Sequence, residues 1–260
     1  MTEYKTTHIV FFSPTHTSEK IARGIAEGIG MGRRIETDLT TDDGTTPIEI
    51  KDALTVVAVP VYGGRVPVVA IQRLNRLKGV NAPAILTVVY GNRDYEDALI
   101  ELRDTMTGLG FSPITAGAFI GEHSFSRPDL PIAGGRPDEA DLQKAVLFGR
   151  KSLEKLQQSS PIKPLYVKGN HPYKPLMANE PAAPVCNENC YACGECIGVC
   201  PTHAIGFSAE KDRIVTDVKR CIKCCACVKV CPNGARIFET PFAKILHEKF
   251  NTRKEPELFF

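Results

Sequence analysis

Length, composition and charge exclude several broad classes of protein. The chain has 260 residues, of which 43% are hydrophobic, so it can form one large or two ordinary globular domains. Its formal net charge of +2 is too small to indicate binding to nucleic acid or to a membrane surface. The sequence has no apolar run of about 18 residues that would span a membrane, and its start lacks the pattern of an export signal. Because ten cysteines without export favour a reducing compartment, we expect a cytoplasmic protein.

The first 158 residues alternate between strand and helix patterns. Continuous apolar runs predict five strands, at residues 6–12, 35–39, 54–59, 84–89 and 114–120. Apolar residues at helical spacing predict helices that contain residues 21–29, 69–77, 98–106 and 138–157. Strands that alternate with helices form a parallel sheet covered on both faces, and such sheets bind ligands at the C-terminal ends of their strands.

The loop after the first predicted strand is rich in hydroxyl groups and leads directly into a helix. Backbone N–H groups at a helix N-terminus attract anions, and hydroxyl groups add hydrogen-bond donors. The loop has neither the Gly-Lys-Ser/Thr of a Walker P-loop nor the Gly-x-Gly-x-x-Gly of a nicotinamide site. Its candidate phosphate-binding residues are Ser13, Thr15, His16, Thr17 and Ser18. A plain helix cap would show the same pattern, so that alternative stays open.

Two further loops follow the third and fourth predicted strands and should lie at the same edge of the sheet. Tyrosines there can stack on a flat ring, and glycines let the backbone approach it closely. The candidate ring-binding residues are Val61, Tyr62, Gly63 and Gly64 in one loop and Tyr90, Gly91, Asn92, Arg93 and Tyr95 in the other. The alternative for each tyrosine is ordinary packing, and the alternative for Arg93, as for Arg65, is exposure to solvent.

Residues 159–185 contain six prolines, which disfavour regular helix and stiffen the chain. The segment is either a plain tether or, as we prefer, a semi-ordered strap that fixes one domain against the other. After the cysteine-rich region, residues 242–250 predict a short helix. The polar tail 251–260 ends in Leu-Phe-Phe, which we expect to pack back on a domain.

Eight cysteines between residues 190 and 231 repeat one spacing twice, Cys-x2-Cys-x2-Cys-x3-Cys-Pro. This is the iron–sulfur run of bacterial type, in which three thiolates bind one [4Fe–4S] cluster and the fourth serves the other cluster. The first predicted cluster is therefore bound by Cys190, Cys193, Cys196 and Cys231. The second is bound by Cys221, Cys224, Cys227 and Cys200.

Other uses of the cysteines fit the sequence less well. Structural zinc sites pair Cys-x2-Cys knuckles at shorter separation and need no third and fourth cysteine in each run. Disulfides need an oxidising compartment. Cys186 and Cys225 lie outside the repeat, and for each of them a packed thiol is the simplest interpretation. A ligand exchange or a redox role is the alternative.

Residues 186–238 resemble a bacterial two-cluster ferredoxin, including the half-repeat of residues 200–207 and 231–238. The loop 13–18 resembles the phosphate loop of flavodoxins, although His16 stands where that family usually has glycine. A positive φ at this position would strain the histidine. The whole chain is similar to the flavodoxin–ferredoxin fusion proteins of anaerobes, the EFR family.

This resemblance implies a fold and a set of domain boundaries. The fold is a flavodoxin-like doubly wound five-stranded parallel sheet, in the order 2-1-3-4-5, followed by a small α+β two-cluster ferredoxin domain. The implied domains are a flavodoxin-like FMN-binding domain at 1–158, a Pro-rich linker at 159–185, a 2[4Fe–4S] ferredoxin domain at 186–240, and a C-terminal helix and tail at 241–260.

The resemblance also implies electron transfer among FMN, two [4Fe–4S] clusters and partner redox proteins. Three functions are compatible with it: a soluble electron carrier, an FMN-dependent reductase supplied by its own ferredoxin domain, and a redox-sensing interaction module. No catalytic residue stands out beside the predicted flavin, which favours the carrier, although the sequence leaves open whether the protein is an enzyme. Residues 186–240 hold seven Lys or Arg and six Asp or Glu, so eight thiolates would make the loaded domain anionic and suited to a partner with a basic face.

Overall fold

The computed structural model describes residues 4–158, 161–177 and 181–260. Strands alternate with helices up to residue 158, except at residues 33–60 and 77–90, where strands follow one another directly, and mostly shorter elements follow. The strands are β1 Thr6–Phe11, β2 Arg33–Asp38, β3 Ile48–Lys51, β4 Leu54–Pro60, β5 Leu77–Val80, β6 Ala82–Tyr90, β7 Phe111–Ile120, β8 Val185–Cys186, β9 Ile205–Phe207, β10 Ile214–Thr216, β11 Arg236–Ile237 and β12 Glu257–Phe259. The helices are α1 Thr17–Ile29, α2 Val68–Leu74, α3 Ala98–Gly108, α4 Glu139–Gln158, α5 Glu195–Gly198, α6 Ala226–Lys229 and α7 Pro241–Lys249.

The central sheet has the strand order β12-β7-β6-β4-β1-β2. All its pairings are parallel except that of β12, which runs antiparallel to β7. The five long strands, counted along the chain, therefore lie in the order 2-1-3-4-5, which is that of flavodoxin-like sheets. The predicted fold class is confirmed.

The core has two layers, one on each face of the sheet. Apolar residues of α1 and α4 pack on one face, and those of α2 and α3 pack on the other. The strands β4 and β6 are buried along their whole length, as their continuous apolar runs predict. Helices α1 and α4 approach so closely that a Cβ atom at Gly28 would lie 1.8 Å from the Val146 carbonyl oxygen. Glycine is required at this contact because any side chain would push the helices apart.

Two short strands differ from the sequence prediction. The predicted helix 69–77 ends at Leu74, and Leu77 instead begins β5, which pairs in parallel with β3 outside the central sheet. Gly79 in β5 lies against Gly110, where a Cβ atom would come within 2.9 Å of that glycine's backbone. This packing against the α3–β7 turn holds the segment as a strand.

The C-terminal tail returns to the central sheet as an added strand. Asn92 donates hydrogen bonds to the carbonyl oxygens of Phe250 and Thr252, at 2.6 and 2.8 Å. The Tyr95 hydroxyl donates to the Glu257 carboxylate at 2.7 Å. The expected return of the tail is thus found, and the strand that it forms is a feature that the polar sequence did not predict.

The cysteine-rich region forms a small α+β unit between the linker and α7. It contains the antiparallel pairs β9–β10 and β8–β11 and the one-turn helices α5 and α6. The predicted linker includes residues 159–160 and 178–180, which lie outside the described residues. Across the ranges that the structure describes, no helix is long and apolar enough to cross a membrane.

The bond between Tyr95 and Glu257 gives a test of the returning strand. We expect Tyr95→Phe to lower the free energy of unfolding by about 1.5 kcal/mol, the lower end for a hydrogen bond to a charged group, because Glu257 remains partly exposed to water. Denaturant unfolding followed by circular dichroism measures the change. Tyr166→Phe is the control, since Tyr166 is 79% exposed. Equal midpoints for the two variants would contradict the stabilising role of the bond.

Candidate functional site

The two halves of the cysteine repeat have matching local geometry. The Ala204 N–H donates to Cys200 Sγ at 3.2 Å, and the Ala235 N–H donates to Cys231 Sγ at the same distance. In each run, therefore, the sulfur of the fourth cysteine is oriented by the backbone N–H group of the residue four positions further along the chain. Such N–H···S bonds stabilise a thiolate, and they explain why the same spacing recurs in both halves.

The turn before each short helix also repeats, and it explains the position of one cysteine outside the pattern. Gly194 precedes α5 with φ 85°, and Cys225 precedes α6 with φ 57°. Cys225 thus occupies the left-handed position that glycine takes in the first half, where a non-glycine residue is strained. Its thiol is buried and donates a 3.6 Å hydrogen bond to the Lys223 carbonyl oxygen. These contacts favour the interpretation of Cys225 as a packed side chain.

A small cavity is lined by four of the predicted cluster ligands. We call these ligands the inner cysteine set: Cys200, Cys221, Cys224 and Cys227. All four are buried, and they combine three cysteines of the second run with the last cysteine of the first run. In the described part of the chain, no three Cys, His, Asp or Glu side chains are placed so that together they could hold a single metal ion. The residues fit a cluster, in which each thiolate binds a different iron.

The other four predicted ligands lie nearer the surface. This outer cysteine set consists of Cys190, Cys193, Cys196 and Cys231. Cys193 is exposed, Cys190 and Cys231 are half-buried, and Cys196 is buried. If the fourth cysteine of each run serves the other cluster, as predicted, one cluster has only buried ligands. The other has ligands that solvent or a partner protein can approach.

Burial changes the protonation of the thiols in both sets. It raises the pKa of Cys196 to about 11 and that of Cys224 to about 12. Without iron these thiols are protonated at neutral pH. Since iron binds thiolates, loading of the sites must release protons.

A buried arginine joins the cysteine-rich region to the sheet domain. Arg73 in α2 donates through Nη2 to the Pro201 carbonyl oxygen at 2.6 Å, and through Nη1 to that of Leu39 at 2.9 Å. Nη1 also donates to the carbonyl oxygen of Thr40. Pro201 directly follows Cys200, so this side chain fixes one end of the inner cysteine set against the C-terminal edge of the sheet.

A second contact brings the predicted ring loops to the inner cysteine set. Tyr62 is half-buried, and burial of its hydroxyl raises its pKa well above the usual value, with a further rise from the thiols of Cys224 and Cys225. Nearby, Lys229 of α6 donates to the Glu122 carboxylate and to the Ser126 carbonyl oxygen, which lie in the loop after β7. The inner set therefore faces the edge where β4 and β7 end.

The loop 13–18 has the free donors that a phosphate group needs. His16 has φ 62°, so it does take the left-handed conformation in which glycine would be unstrained. Among the described residues, no hydrogen bond reaches the backbone N–H groups of Thr15, Thr17 or Ser18. The Ser18 hydroxyl is buried and, within the same ranges, has no partner. These groups fit an anion at the start of α1.

The two predicted ring loops are partly filled by the chain's own side chains. Tyr90 and Tyr95 are buried with their ring centroids 5.5 Å apart, and neither presents an open face. A Cβ atom at Gly91 would lie 2.3 Å from the His123 ring, and one at Gly63 would lie 2.8 Å from the Met177 sulfur. The close approach at both glycines is used by protein atoms in this structure.

The remaining predicted residues of these loops are held in place by neighbours. Val61 is partly buried against the core, and Gly64 lies against the Glu96 side chain. Arg93 pairs with Glu96 at 2.7 Å, so its side chain is not simply solvated. Asn92 is committed to the tail and keeps a buried side-chain oxygen that has no partner within the described ranges. Of the three predicted ring-binding tyrosines, Tyr62 is the one whose pKa the cysteine thiols raise.

The sequence analysis did not identify Arg73 or His123 as site residues. An arginine near the end of an amphipathic helix usually points to solvent, and nothing in the pattern marks this one as buried. His123 follows a strand end, and burial lowers its pKa to about 4, so it is neutral and packs on Phe125. Both roles depend on contacts with distant segments.

Comparison with known proteins agrees with this architecture. Residues 189–235 match the family described as "4Fe-4S dicluster domain". The chain joins a flavodoxin-like domain to a 4Fe–4S dicluster domain. Together these domains are an arrangement suited to electron transfer. No curated protein matches the sequence.

Several solved structures share the flavodoxin-like part at low identity. A flavodoxin from the domain Archaea is 14% identical, with 58% of this chain and 99% of that chain covered and a TM-score of 0.39. The Streptococcus pneumoniae TIGR4 flavodoxin is 16% identical, with 57% and 97% covered and a TM-score of 0.39. The rubredoxin oxygen:oxidoreductase from the anaerobe Desulfovibrio gigas is 16% identical, with 59% and 36% covered and a TM-score of 0.40. The sheet order described above, and not these distant likenesses, identifies the fold.

The composition of the inner cysteine set can be tested by double substitution. If Cys200 and Cys221 bind the same cluster, Cys200→Ala should lower the iron content from about eight to about four atoms per chain, and adding Cys221→Ala should lower it no further. Adding Cys190→Ala instead should remove the second cluster as well. Iron is counted after anaerobic purification. Loss of all iron in the Cys200→Ala, Cys221→Ala pair, with half retained in the Cys200→Ala, Cys190→Ala pair, would reverse the assignment.

Proposed function

We propose that this protein is an electron carrier that passes electrons between FMN, two [4Fe–4S] clusters and a partner redox protein. The observation that carries the proposal is the position of the inner cysteine set. It lies against the C-terminal edge of the sheet, which is the edge where the three predicted FMN loops end. Electron transfer between two centres in one chain requires that they be held close together, and this arrangement supports such a path.

A continuous set of hydrogen bonds supports the path from the phosphate loop to the inner cysteine set. The Ser13 N–H donates to the Thr40 hydroxyl at 2.8 Å, and the Thr40 carbonyl oxygen accepts from Arg73. Arg73 in turn donates to Pro201, next to Cys200. The loop and the cysteine therefore share one rigid frame, in which Arg73 is the connecting side chain.

The residues of the FMN loops have separate roles in the proposal. The free N–H groups of Thr15, Thr17 and Ser18 and the hydroxyl groups of the two threonines would bind the phosphate. Tyr62 would lie beside the ring on the side of the inner cysteine set. FMN would supply exchange of one or two electrons, whereas each cluster passes one electron at a time. The chain's own residues hold the two kinds of centre in fixed positions.

The covering of the ring loops favours a carrier over a reductase of small molecules. Met177 of the linker lies against Gly63, and His123 lies against Gly91, so the chain's own side chains occupy the approach to both loops. FMN would need these side chains to move aside, and a reductase would need still more open space there for its substrate. Arg65 of the sheet domain donates a hydrogen bond to the Lys174 carbonyl oxygen of the linker, which supports the strap preferred from the sequence.

The outer cysteine set is the proposed point of exchange with the partner. Cys193 is exposed, and Tyr191 beside it is 63% exposed. Since the loaded domain would be anionic, we propose a partner with a basic face. Thiolate ligands are stable in a reducing compartment, which agrees with a cytoplasmic location.

Binding of FMN is tested at the phosphate loop. Thr15→Ala combined with Thr17→Ala removes two hydroxyl donors, and we expect the amount of FMN retained after gel filtration to fall at least about tenfold, the effect of about 1.4 kcal/mol. The flavin content is measured from its visible absorbance after extraction. Thr45→Ala combined with Thr46→Ala is the control, since both residues are exposed. Equal retention by the two variants would contradict the phosphate assignment.

Electron transfer itself is tested by flash reduction of the flavin under anaerobic conditions. We expect the visible absorbance of the clusters to bleach at a rate independent of protein concentration, because the transfer occurs within one chain. Arg73→Met should slow this rate, since Pro201 loses its donor, whereas Arg34→Met, at an exposed position, should leave it unchanged. Bleaching that rises in proportion to protein concentration would show transfer between chains and would overturn the proposed path.

A further inference from the structure

The half-repeat differs at one buried position. Ala204-Ile205 in the first half corresponds to Ala235-Arg236 in the second. Ile205 is an apolar residue in the lining of the cavity that the inner cysteine set shares. Arg236, at the equivalent place, is only 3% exposed. The chain therefore buries a permanent positive charge where its own repeat has a hydrocarbon side chain.

The partners of Arg236 are sulfur atoms and one hydroxyl group. Its Nη1 lies 3.4 Å from Cys186 Sγ, and its Nη2 lies 2.7 Å from Thr216 Oγ1 and 3.8 Å from Cys227 Sγ. Its Nε is buried and has no partner within the described ranges. The guanidinium thus lies beside a ligand of the inner cysteine set, on a strand, β11, that pairs with Cys186.

This arginine has no carboxylate partner in the part of the chain that the structure describes. The buried pair Arg136 and Asp141 shows the usual solution in this same protein, because there the guanidinium meets a carboxylate. A buried charge without a counter-charge is strongly unfavourable. Within the same part of the chain, Arg73 is also buried without an ion pair, but three carbonyl oxygens accept from it. Among its described hydrogen-bond partners, Arg236 has only cysteine sulfurs and one hydroxyl group, so the sulfur sites are the source of negative charge nearest to it.

We propose that Arg236 is a buried counter-charge for the iron–sulfur clusters, which stabilises their reduced state and raises their reduction potentials. This inference rests on the proposed function, because it requires clusters at the two cysteine sets. Reduction adds one electron, and so one negative charge, to a cluster. A fixed positive charge nearby favours the more negative state, and its effect is large where water is excluded.

Substitution of Arg236 separates charge from shape. We expect Arg236→Gln to lower the midpoint potential of at least one cluster by about 59 mV or more, which is a tenfold change in the equilibrium constant of a one-electron reduction. Arg236→Lys keeps the charge and should shift the potential clearly less. Potentials are read from the electron paramagnetic resonance signals of the reduced full-length protein during a redox titration. Equal shifts in the Gln and Lys variants would overturn the proposal in favour of a purely geometric role.

A second pair of variants tests the same idea without altering Arg236. Cys186→Asp places a carboxylate against the guanidinium and should neutralise its effect, so the potential should fall as in Arg236→Gln. Cys186→Ser is the neutral control and should leave the potential near that of the unsubstituted protein. This pair decides the question if Arg236→Gln does not retain iron. Identical potentials for the Asp and Ser variants would contradict the proposal.

The iron count of the unsubstituted protein distinguishes failure of this inference from failure of the proposed function. Absence of iron after anaerobic reconstitution would remove the clusters and with them both proposals. About eight irons per chain with unchanged potentials in all four variants would remove only the role of Arg236.

Discussion

The hydrogen bond from Arg73 to the Pro201 carbonyl oxygen is the buried contact that holds Cys200 against the sheet domain. Arg73 is buried, and its other bonds go to the carbonyl oxygens of Leu39 and Thr40, at the C-terminal edge of the sheet. A charged side chain is costly to bury, and the N–H groups of a guanidinium point in fixed directions, so its hydrogen bonds define the positions of their acceptors. It therefore sets the position of Cys200 relative to the phosphate loop, where an apolar contact would allow sliding.

The cysteine-rich domain combines strict local repetition with two departures from it. The N–H···S bonds at Cys200 and Cys231 are equivalent, as are the left-handed turns before α5 and α6. The departures are Cys225 in place of a glycine and Arg236 in place of an isoleucine. Both are buried near the inner cysteine set, so the two halves of the repeat are alike in backbone and different in charge and packing.

Much of the fold follows from local pattern, because each long strand is a continuous apolar run and each helix has one apolar face. The cysteine spacing likewise implies which thiols share a cavity, because in this repeat the fourth cysteine of one run serves the cluster of the other run. The strands β3, β5 and β12 could not be predicted, because their sequences are mixed and distant partners hold them in place. The same limit applies to Tyr95 and to Arg73. Their residue types suggest a ring stack and a solvated surface, whereas Glu257 and Pro201, far along the chain, decide their contacts.

The antiparallel strand β12 changes how the cysteine-rich domain should be regarded. Because β12 joins the central sheet after the cysteine-rich elements β8 to β11 in the chain, the cysteine-rich region is an insertion into the sheet domain and is anchored at both ends. It cannot swing on one hinge as an appended module would. During synthesis, moreover, the sheet can receive its last strand only after the iron-binding segment has left the ribosome. Completion of the larger domain therefore always comes after synthesis of the smaller one.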